Sequence, residues 1–193
     1  MISLTTKKLS HALKEWAVAV DALTVGKTIL LLRKGGIREA NGKFEVQHRQ
    51  VWLYPTYEHQ KPHLLKPEYT ADVRVVESGW HPETVCLKSY AEITKILAIR
   101  DRNIISALQP YHIWNEQMIS DRLKWKPQQP VFALLLRVYR LPQPQIIPYN
   151  NAYGGCKSWL DLVESISLDG LTPVLDDASY QQQVTEIMDI VGG

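Results

Sequence analysis

Two short apolar runs are the clearest structural signals in the chain. They occupy residues 27–33, with the sequence KTILLLR, and residues 131–139. Short runs of this kind, rich in β-prone side chains and bounded by glycine or by a polar loop, are typical of buried strands. The chain is therefore expected to contain a sheet.

The segments around the first run predict a helix and a strand pair. Apolar residues recur at spacings of three and four over residues 9–23, which indicates an amphipathic helix. Asn41-Gly42 is a strong turn signal, and residues 51–54 are again β-prone. Residues 27–54 are therefore expected to form an antiparallel pair around that turn.

The second half of the chain mixes helices with further strands. The capping-box pattern Ser89-Tyr-Ala-Glu92 indicates the start of a helix. Prolines at 142, 144 and 148 are expected to exclude regular structure up to Gly154. The remaining predicted elements are strands at 73–78 and 131–139, a helix at 158–165 and a final helix at 179–191.

These elements favour an α+β fold. No strand, glycine-rich turn and helix follow one another as nucleotide-binding folds require. The pattern predicts a small, mostly antiparallel sheet or barrel packed with helices, followed by an acidic C-terminal helical segment. We expect one domain over residues 1–165 and an acidic helical appendage over residues 166–193.

Charge is distributed unevenly along the sequence. Residues 1–66 have eleven basic and five acidic side chains, a net charge of +6, and residues 67–158 have eleven and eight, a net charge of +3. From Trp159 onward there are seven acidic residues and no Lys or Arg, which gives −7. Such asymmetry indicates a polyanion-binding body, and the acidic segment either docks on it, floats beside it or contacts a protein partner.

Composition excludes several classes of protein. No apolar stretch approaches the roughly 20 residues that cross a bilayer, so we expect no membrane association. Cys86 and Cys156 are too few for a disulfide framework and lack the paired spacing of a zinc site. We expect a cytoplasmic bacterial protein without a cofactor.

Residues 44–66 are the segment richest in metal-binding side chains. His59 and His63 are four residues apart, like metal-ligand pairs on a helix, although the proline between them argues against a regular helix. Together with His48 and Glu58 they form a candidate metal site. Such a site would make the chain a metal-dependent phosphodiester hydrolase.

The same segment also has the composition of a nucleic-acid-binding surface. Aromatic side chains stack on bases while neighbouring cations contact phosphates, and the backbone around Gly35-Gly36 and Arg38 would add amide donors. The candidate binding face consists of Arg33, Lys34, Arg49, Trp52, Tyr54, His59 and Lys61. The alternative is that the aromatic residues fill the core and the histidines bond to the backbone.

Sequence motifs of known enzyme classes give little support to catalysis. The sequence has no Gly-x-Ser-x-Gly nucleophile elbow, and no acid-x-Lys triplet of the restriction-nuclease type follows a strand acid. Gly154, Gly155 and Lys157 lie where a helix is expected to start, which favours anions, but their spacing is not that of a phosphate-binding loop. We therefore favour binding over catalysis.

Several short sequence motifs together resemble a known family. They span about residues 10–165 and are Lys14-Glu-Trp-Ala17, Leu30-Leu-Leu-Arg-Lys-Gly-Gly-Ile37, Leu53-Tyr-Pro-Thr56 with His59-Gln60, Tyr111-His-Ile-Trp114, Arg137-Val-Tyr139 and Gly154-Gly-Cys-Lys-Ser-Trp159. The family is the bacterial, largely cyanobacterial domain of unknown function eighteen-oh-two. Because some members are thought to occur beside restriction-endonuclease-type domains, the resemblance implies a role near restriction-modification or defence.

The first 35 residues are also similar to the opening of ASCH domains. These are small β-barrels related to the RNA-binding module of pseudouridine synthases, with the pattern Gly-x-Lys-x-x-Glu-x-Arg. Gly26, Lys27 and Arg33 match part of it, whereas Leu30 stands about where the glutamate belongs. This departure puts the hydrolase activity of that family in doubt for this chain.

The residues and the resemblance lead to one favoured function and two alternatives. We expect a nucleic-acid-binding module associated with DNA modification or defence. The alternatives are the metal-dependent hydrolase and a protein-interaction subunit that acts through its acidic C-terminal segment.

Overall fold

The computed structural model describes residues 7–34 and 44–192 of the chain. Its strands are β1 (Lys8–Trp16), β2 (Leu30–Arg33), β3 (Gln50–Thr56), β4 (Thr84–Ile99), β5 (Val131–Pro148), β6 (Trp159–Ser167) and β7 (Thr172–Pro173). Its helices are α1 (Ala17–Thr24), α2 (Pro67–Thr70), α3 (Arg102–Ala107), α4 (Glu116–Lys124) and α5 (Asp177–Gly192). The predicted α+β class is confirmed.

The strands of the described residues form one open, mostly antiparallel sheet. Its order is β2-β5-β4-β3-β1-β6, and β7 pairs with β5 outside this row. Only β1 and β3 run parallel among the pairs in these residues. The sheet is not closed into a barrel, so β2 and β6 lie at opposite ends of its strand order.

Both faces of the sheet are covered by apolar side chains. The larger cluster lies between the sheet and the helices and includes Leu13, Leu53 and Ile93. The smaller cluster lies around Trp52, Leu87 and Leu160. Central strands are therefore buried on both faces, which removes the alternation of apolar and polar residues that marks a half-exposed strand.

The first element is a strand where the sequence predicts a helix. Residues 8–16 form β1, and only residues 17–24 are helical. Ala12 packs in the smaller cluster and Leu13 in the larger one, and neither side chain is exposed. Because both faces of β1 are buried, its apolar residues imitate helical spacing.

The two predicted strands of residues 27–54 exist but do not pair with each other. β2 pairs with β5, whereas β3 lies between β1 and β4. The turn signal at Asn41-Gly42 lies outside the described residues. The predicted antiparallel pair is wrong because non-local strands occupy the partner edges of both segments.

The capping-box segment is also extended. Ser89 and Glu92 lie within β4, which pairs with β3 on one side and β5 on the other. The Ser89 hydroxyl lies 2.7 Å from the Thr24 hydroxyl, buried under α1, instead of capping a helix. The predicted strand at 73–78 is irregular and largely exposed, and the helices that follow β4 are α3 and α4.

The prolines after residue 141 do not end β5. The pairing of β4 with β5 jumps from Leu87 opposite Gln145 to Ser89 opposite Arg140. Pro142 and Pro144 fall within this bulge, where they have no partner in the strand ladder. Their lack of an N–H group therefore removes no ladder hydrogen bond. Likewise, the helix predicted at 158–165 is wrong, since these residues enter β6, which pairs with β1.

The acidic C-terminal segment lies against the rest of the fold. Val184 and Ile187 of α5 are buried in the larger cluster. Arg137 Nη2 donates to Asp177 Oδ1 at 2.6 Å, and the Tyr111 hydroxyl donates to Glu186 at 3.1 Å. The helix predicted at 179–191 is therefore present and docked.

No helix among the described residues is long and apolar enough to span a membrane.

Candidate functional site

A polar cleft opens where the C-terminal ends of β1 and β2 meet two loops. One loop follows β3 and the other precedes β6. The cleft has a volume of about 260 Å³. Its described lining consists of Lys14, Glu15, Trp16, Arg33, Lys34, Thr56, Glu58, His59, Arg122, Gly155, Cys156, Lys157 and Ser158.

Lys14 supplies a buried positive charge at the base of the cleft. Its Nζ donates to the carbonyls of Tyr153 at 2.8 Å and Gly155 at 2.9 Å. Burial lowers the pKa of this amine, and the Glu58 carboxylate partly opposes that shift. Gly155 has a φ of +79°, a left-handed conformation that favours glycine and turns the loop across Lys14.

Arg33 joins three separate segments of the chain. Its Nη1 donates to Glu15 at 2.6 Å, and its Nη2 donates to the Ser158 hydroxyl at 2.5 Å. The Glu15 carboxylate also accepts the backbone N–H of Trp16 at 2.8 Å. The guanidinium is therefore held rigidly between β1 and the loop before β6.

Two further lysines lie near Lys14 and Arg33 in the cleft. The Lys34 side chain is buried, and its Nζ donates to the Arg122 carbonyl at 2.8 Å. Burial and the nearby Arg122 charge lower the pKa of Lys34. The exposed Lys157 donates to the Ala152 carbonyl at 3.1 Å. Both amines are anchored by carbonyl groups, which carry no net negative charge.

The loop after β3 contributes His59 beside a thiol. His59 has a left-handed φ of +62°, and its neighbour Gln60 is buried and accepts the Val18 backbone N–H at 3.1 Å. His59 Nε2 lies 4.0 Å from the Cys156 sulfur. The Cys156 thiol is free and exposed.

Trp16 forms the aromatic wall of the cleft. It is half-buried and packs edge-on against Trp114, with ring centroids 5.0 Å apart. The partner Trp114 is buried, so the pair is fixed in the core while one part of Trp16 faces the cleft. The cleft therefore combines positive charge with one aromatic surface.

The structure brings together only part of the binding face suggested by the sequence. Arg33, Lys34 and His59 line the cleft. Trp52 and Tyr54 lie in the smaller core cluster, so neither ring offers a face on which a base could stack. The Trp52 Nε1 donates to the Leu9 carbonyl at 2.9 Å, and burial raises the pKa of Tyr54.

The other members of that face lie away from the cleft lining. Arg49 donates to the Ile93 carbonyl at 3.1 Å, and Lys61 is exposed. Neither belongs to the side chains that line the cleft. Gly35-Gly36 and Arg38, which the sequence adds to the face, lie outside the described residues.

The four residues of the candidate metal site suggested by the sequence do not form one cluster in the structure. Among the described residues, the histidine and carboxylate group close enough for a metal contains His11, His48 and Asp161, without Glu58, His59 or His63. Burial, with the neighbouring His11, lowers the pKa of His48.

Sequence reasoning missed most of the cleft. The sequence pattern places Lys14 and Trp16 in a helix, and Ser158 at the start of another. Their contacts join positions more than a hundred residues apart, such as Arg33 with Ser158, and no local pattern predicts such contacts. The family resemblance was one available signal, because residues from several of its sequence motifs line this cleft.

Comparisons with known proteins add a family and a set of structures. Residues 12–186 match the family model described as a domain of unknown function (DUF1802). No curated protein matches the chain. Similar solved structures include crystal structures of ASCH from Zymomonas mobilis and of a point mutant of it. The mutant has a TM-score of 0.46 and 16% identity, covering 91% of this chain and 96% of that chain. The ASCH structure itself has a TM-score of 0.41 and 17% identity, covering 91% and 93%.

Proposed function

This chain belongs to the DUF1802 family, and we propose that it binds single-stranded nucleic acid, with a backbone phosphate held in the polar cleft. The observation that supports this function most directly is the charge of the cleft. Among the described lining residues, five basic side chains face two carboxylates. The basic members are Lys14, Arg33, Lys34, Arg122 and Lys157.

The arrangement of these charges favours an anionic ligand. Glu15 is paired with Arg33, and the amines of Lys14 and Lys34 contact carbonyl oxygens rather than carboxylates. Positive charge that lines a cleft concentrates anions and accelerates their association. A phosphate would add the negative charge that the cleft lacks.

The size and lining of the cleft favour one extended nucleotide over a duplex. A volume of about 260 Å³ lies near the lower end of small-ligand pockets. Trp16 offers a ring for one base, and base–aromatic stacking contributes about 1–3 kcal/mol. A duplex, whose bases are already stacked, would meet only the rim.

Fluorescence anisotropy against salt concentration tests this function. We expect labelled single-stranded DNA or RNA to bind more tightly than duplex of the same length. The slope of log affinity against log salt should be steep, since each neutralised phosphate of a single strand contributes about −0.7. Unchanged anisotropy at every salt concentration would contradict the proposal.

Charge reversals locate the binding surface. Lys157→Glu should weaken binding and make the salt slope shallower by about 0.7, because Lys157 lines the cleft. Lys95→Glu is the matched control, an exposed cation on β4 outside the cleft lining. Lys61→Glu distinguishes the cleft from the binding face suggested by the sequence. If Lys61→Glu weakens binding and Lys157→Glu does not, the binding site is the sequence-derived face and not the cleft.

Two narrower predictions remain separate from this proposal. The association with DNA modification or defence implies DNA as the ligand, so binding of RNA alone would contradict it. The protein partner of the acidic C-terminal segment also stays a prediction.

A further inference from the structure

Three elements bring two histidines and an aspartate together outside the cleft. His11 on β1 lies opposite Asp161 on β6 in the antiparallel register. His48 comes from the segment that precedes β3. The potential ligand atoms of these residues all lie within 4.8 Å of one another.

We propose that His11, His48 and Asp161 bind a divalent transition-metal ion such as Zn²⁺. Two imidazole nitrogens and one carboxylate oxygen form a donor set that suits zinc and its neighbours in the first transition series. Three protein ligands leave coordination positions for water. The site is accessible, because the His11 and Asp161 side chains are 38% and 75% exposed.

The three ligand atoms are close enough for one ion once the His48 ring turns. Zn–N and Zn–O distances near 2.1 Å place two ligands of one ion at most about 4 Å apart, compared with the 4.8 Å limit here. The His11 and His48 rings are stacked with centroids 3.6 Å apart and planes 5° apart, so their in-plane lone pairs run parallel, and His48 has to turn out of the stack before both nitrogens point at one ion. His48 lies outside the strand ladder, which allows that rotation.

Neighbouring groups already orient the three ligands. His11 Nδ1 lies 2.7 Å from Asp161 Oδ1, so a nitrogen and an oxygen ligand are already side by side, and the ion would replace the proton between them. The Trp159 ring stands edge-on to His48, with centroids 6.1 Å apart. Trp159 Nε1 donates to the Glu45 carbonyl at 3.0 Å, which holds the His48 segment against β6.

A bound ion would fasten the His48 segment to two strands. That segment has no strand pairing over residues 44–48, while β1 and β6 are hydrogen-bonded to each other. An ion that binds the folded chain and not the unfolded chain raises the unfolding temperature. The proposal is independent of nucleic-acid binding, because none of the three ligands lines the cleft.

The test uses the full chain prepared without a polyhistidine tag. Metal-free protein is titrated with zinc chloride by calorimetry and with cobalt chloride by visible absorption. We expect one ion per chain, a ligand-field cobalt spectrum and a higher unfolding temperature with zinc. His48→Ala and Asp161→Asn should each weaken binding at least tenfold.

Matched controls separate this site from non-specific binding. Glu164→Gln changes an exposed acid on the same strand, and His63→Ala changes an exposed histidine elsewhere; neither should alter the titration. Circular dichroism of the metal-free variants checks that they are folded, and His48→Gln replaces His48→Ala if the latter is not. Failure of the wild-type chain to bind either ion, or equal binding by wild type and ligand variants, would overturn the proposal. So would a loss of binding in His63→Ala.

Discussion

The buried imidazole of His112 should make the stability of this protein depend on pH. The side chain is 2% exposed. Its Nδ1 accepts the Trp114 backbone N–H at 3.2 Å, while its Nε2 has no partner among the described residues. Burial, together with the charge of Lys66, lowers the pKa of His112 from its ordinary value of 6.5 to about 4.

The sign and size of the effect follow from proton linkage. At about pH 7.5 and above, the imidazole is neutral in both the folded and the unfolded chain, and its full contribution to stability is present. Below that pH the unfolded chain takes up a proton that the folded chain accepts only near pH 4. The free energy of unfolding therefore falls by about 2 kcal/mol between about pH 7.5 and pH 5, and by about 3 kcal/mol in all.

Urea unfolding of His112→Asn at both pH values measures this contribution. Asparagine keeps an acceptor near the Trp114 N–H but does not titrate. The variant should be less stable than wild type at the higher pH and should lose about 2 kcal/mol less on acidification. His63→Asn, a change at an exposed histidine, controls for the substitution itself. If His112→Asn loses as much stability as wild type, the buried imidazole is not the group responsible.

The remaining predictions concern the C-terminal helix and two tryptophans. Ile187→Ala should lower the free energy of unfolding by about 3 kcal/mol in urea titration, because Ile187 is fully buried; a cost no larger than that of the exposed Asp189→Ala would mean that α5 is not docked. Trp52→Phe loses the bond to the Leu9 carbonyl and leaves a cavity in the core, because Trp52 is fully buried, so it should lower the free energy of unfolding by about 2–3 kcal/mol. Nucleic-acid affinity in anisotropy should not change, and weaker binding by a folded variant would place Trp52 on the binding face. Trp16→Leu should weaken single-strand binding by about 1–3 kcal/mol, and unchanged anisotropy would exclude stacking on this ring.

Elements with strong local signals were predictable from the sequence. The apolar runs that became β2 and the first half of β5 are buried strands, and the amphipathic pattern of the last helix is realised in α5. In these segments, local propensity and tertiary environment favour the same structure. The fold class followed from them.

Elements decided by tertiary packing were not predictable in this way. β1 lies between β3 and β6 with both faces covered, so its apolar spacing resembles that of a helix. In β4, Ser89 meets the Thr24 hydroxyl instead of capping a helix. Pairing with β3 and β5 satisfies the backbone hydrogen bonds of this strand. The free energy gained by this pairing exceeds the local preference of the sequence for a helix.

The cleft could not be found from local patterns because it depends on the sheet staying open. In a closed barrel, backbone hydrogen bonds join every neighbouring strand. Here the terminal strand β2 approaches β1 through the side-chain pair Arg33–Glu15 and reaches Ser158 next to β6. This side-chain contact replaces a ladder and leaves a gap lined by Lys14 and Lys34, whose amines bond to carbonyl oxygens rather than to carboxylates. The affinity that we propose for phosphate is therefore a consequence of the incomplete closure of the sheet.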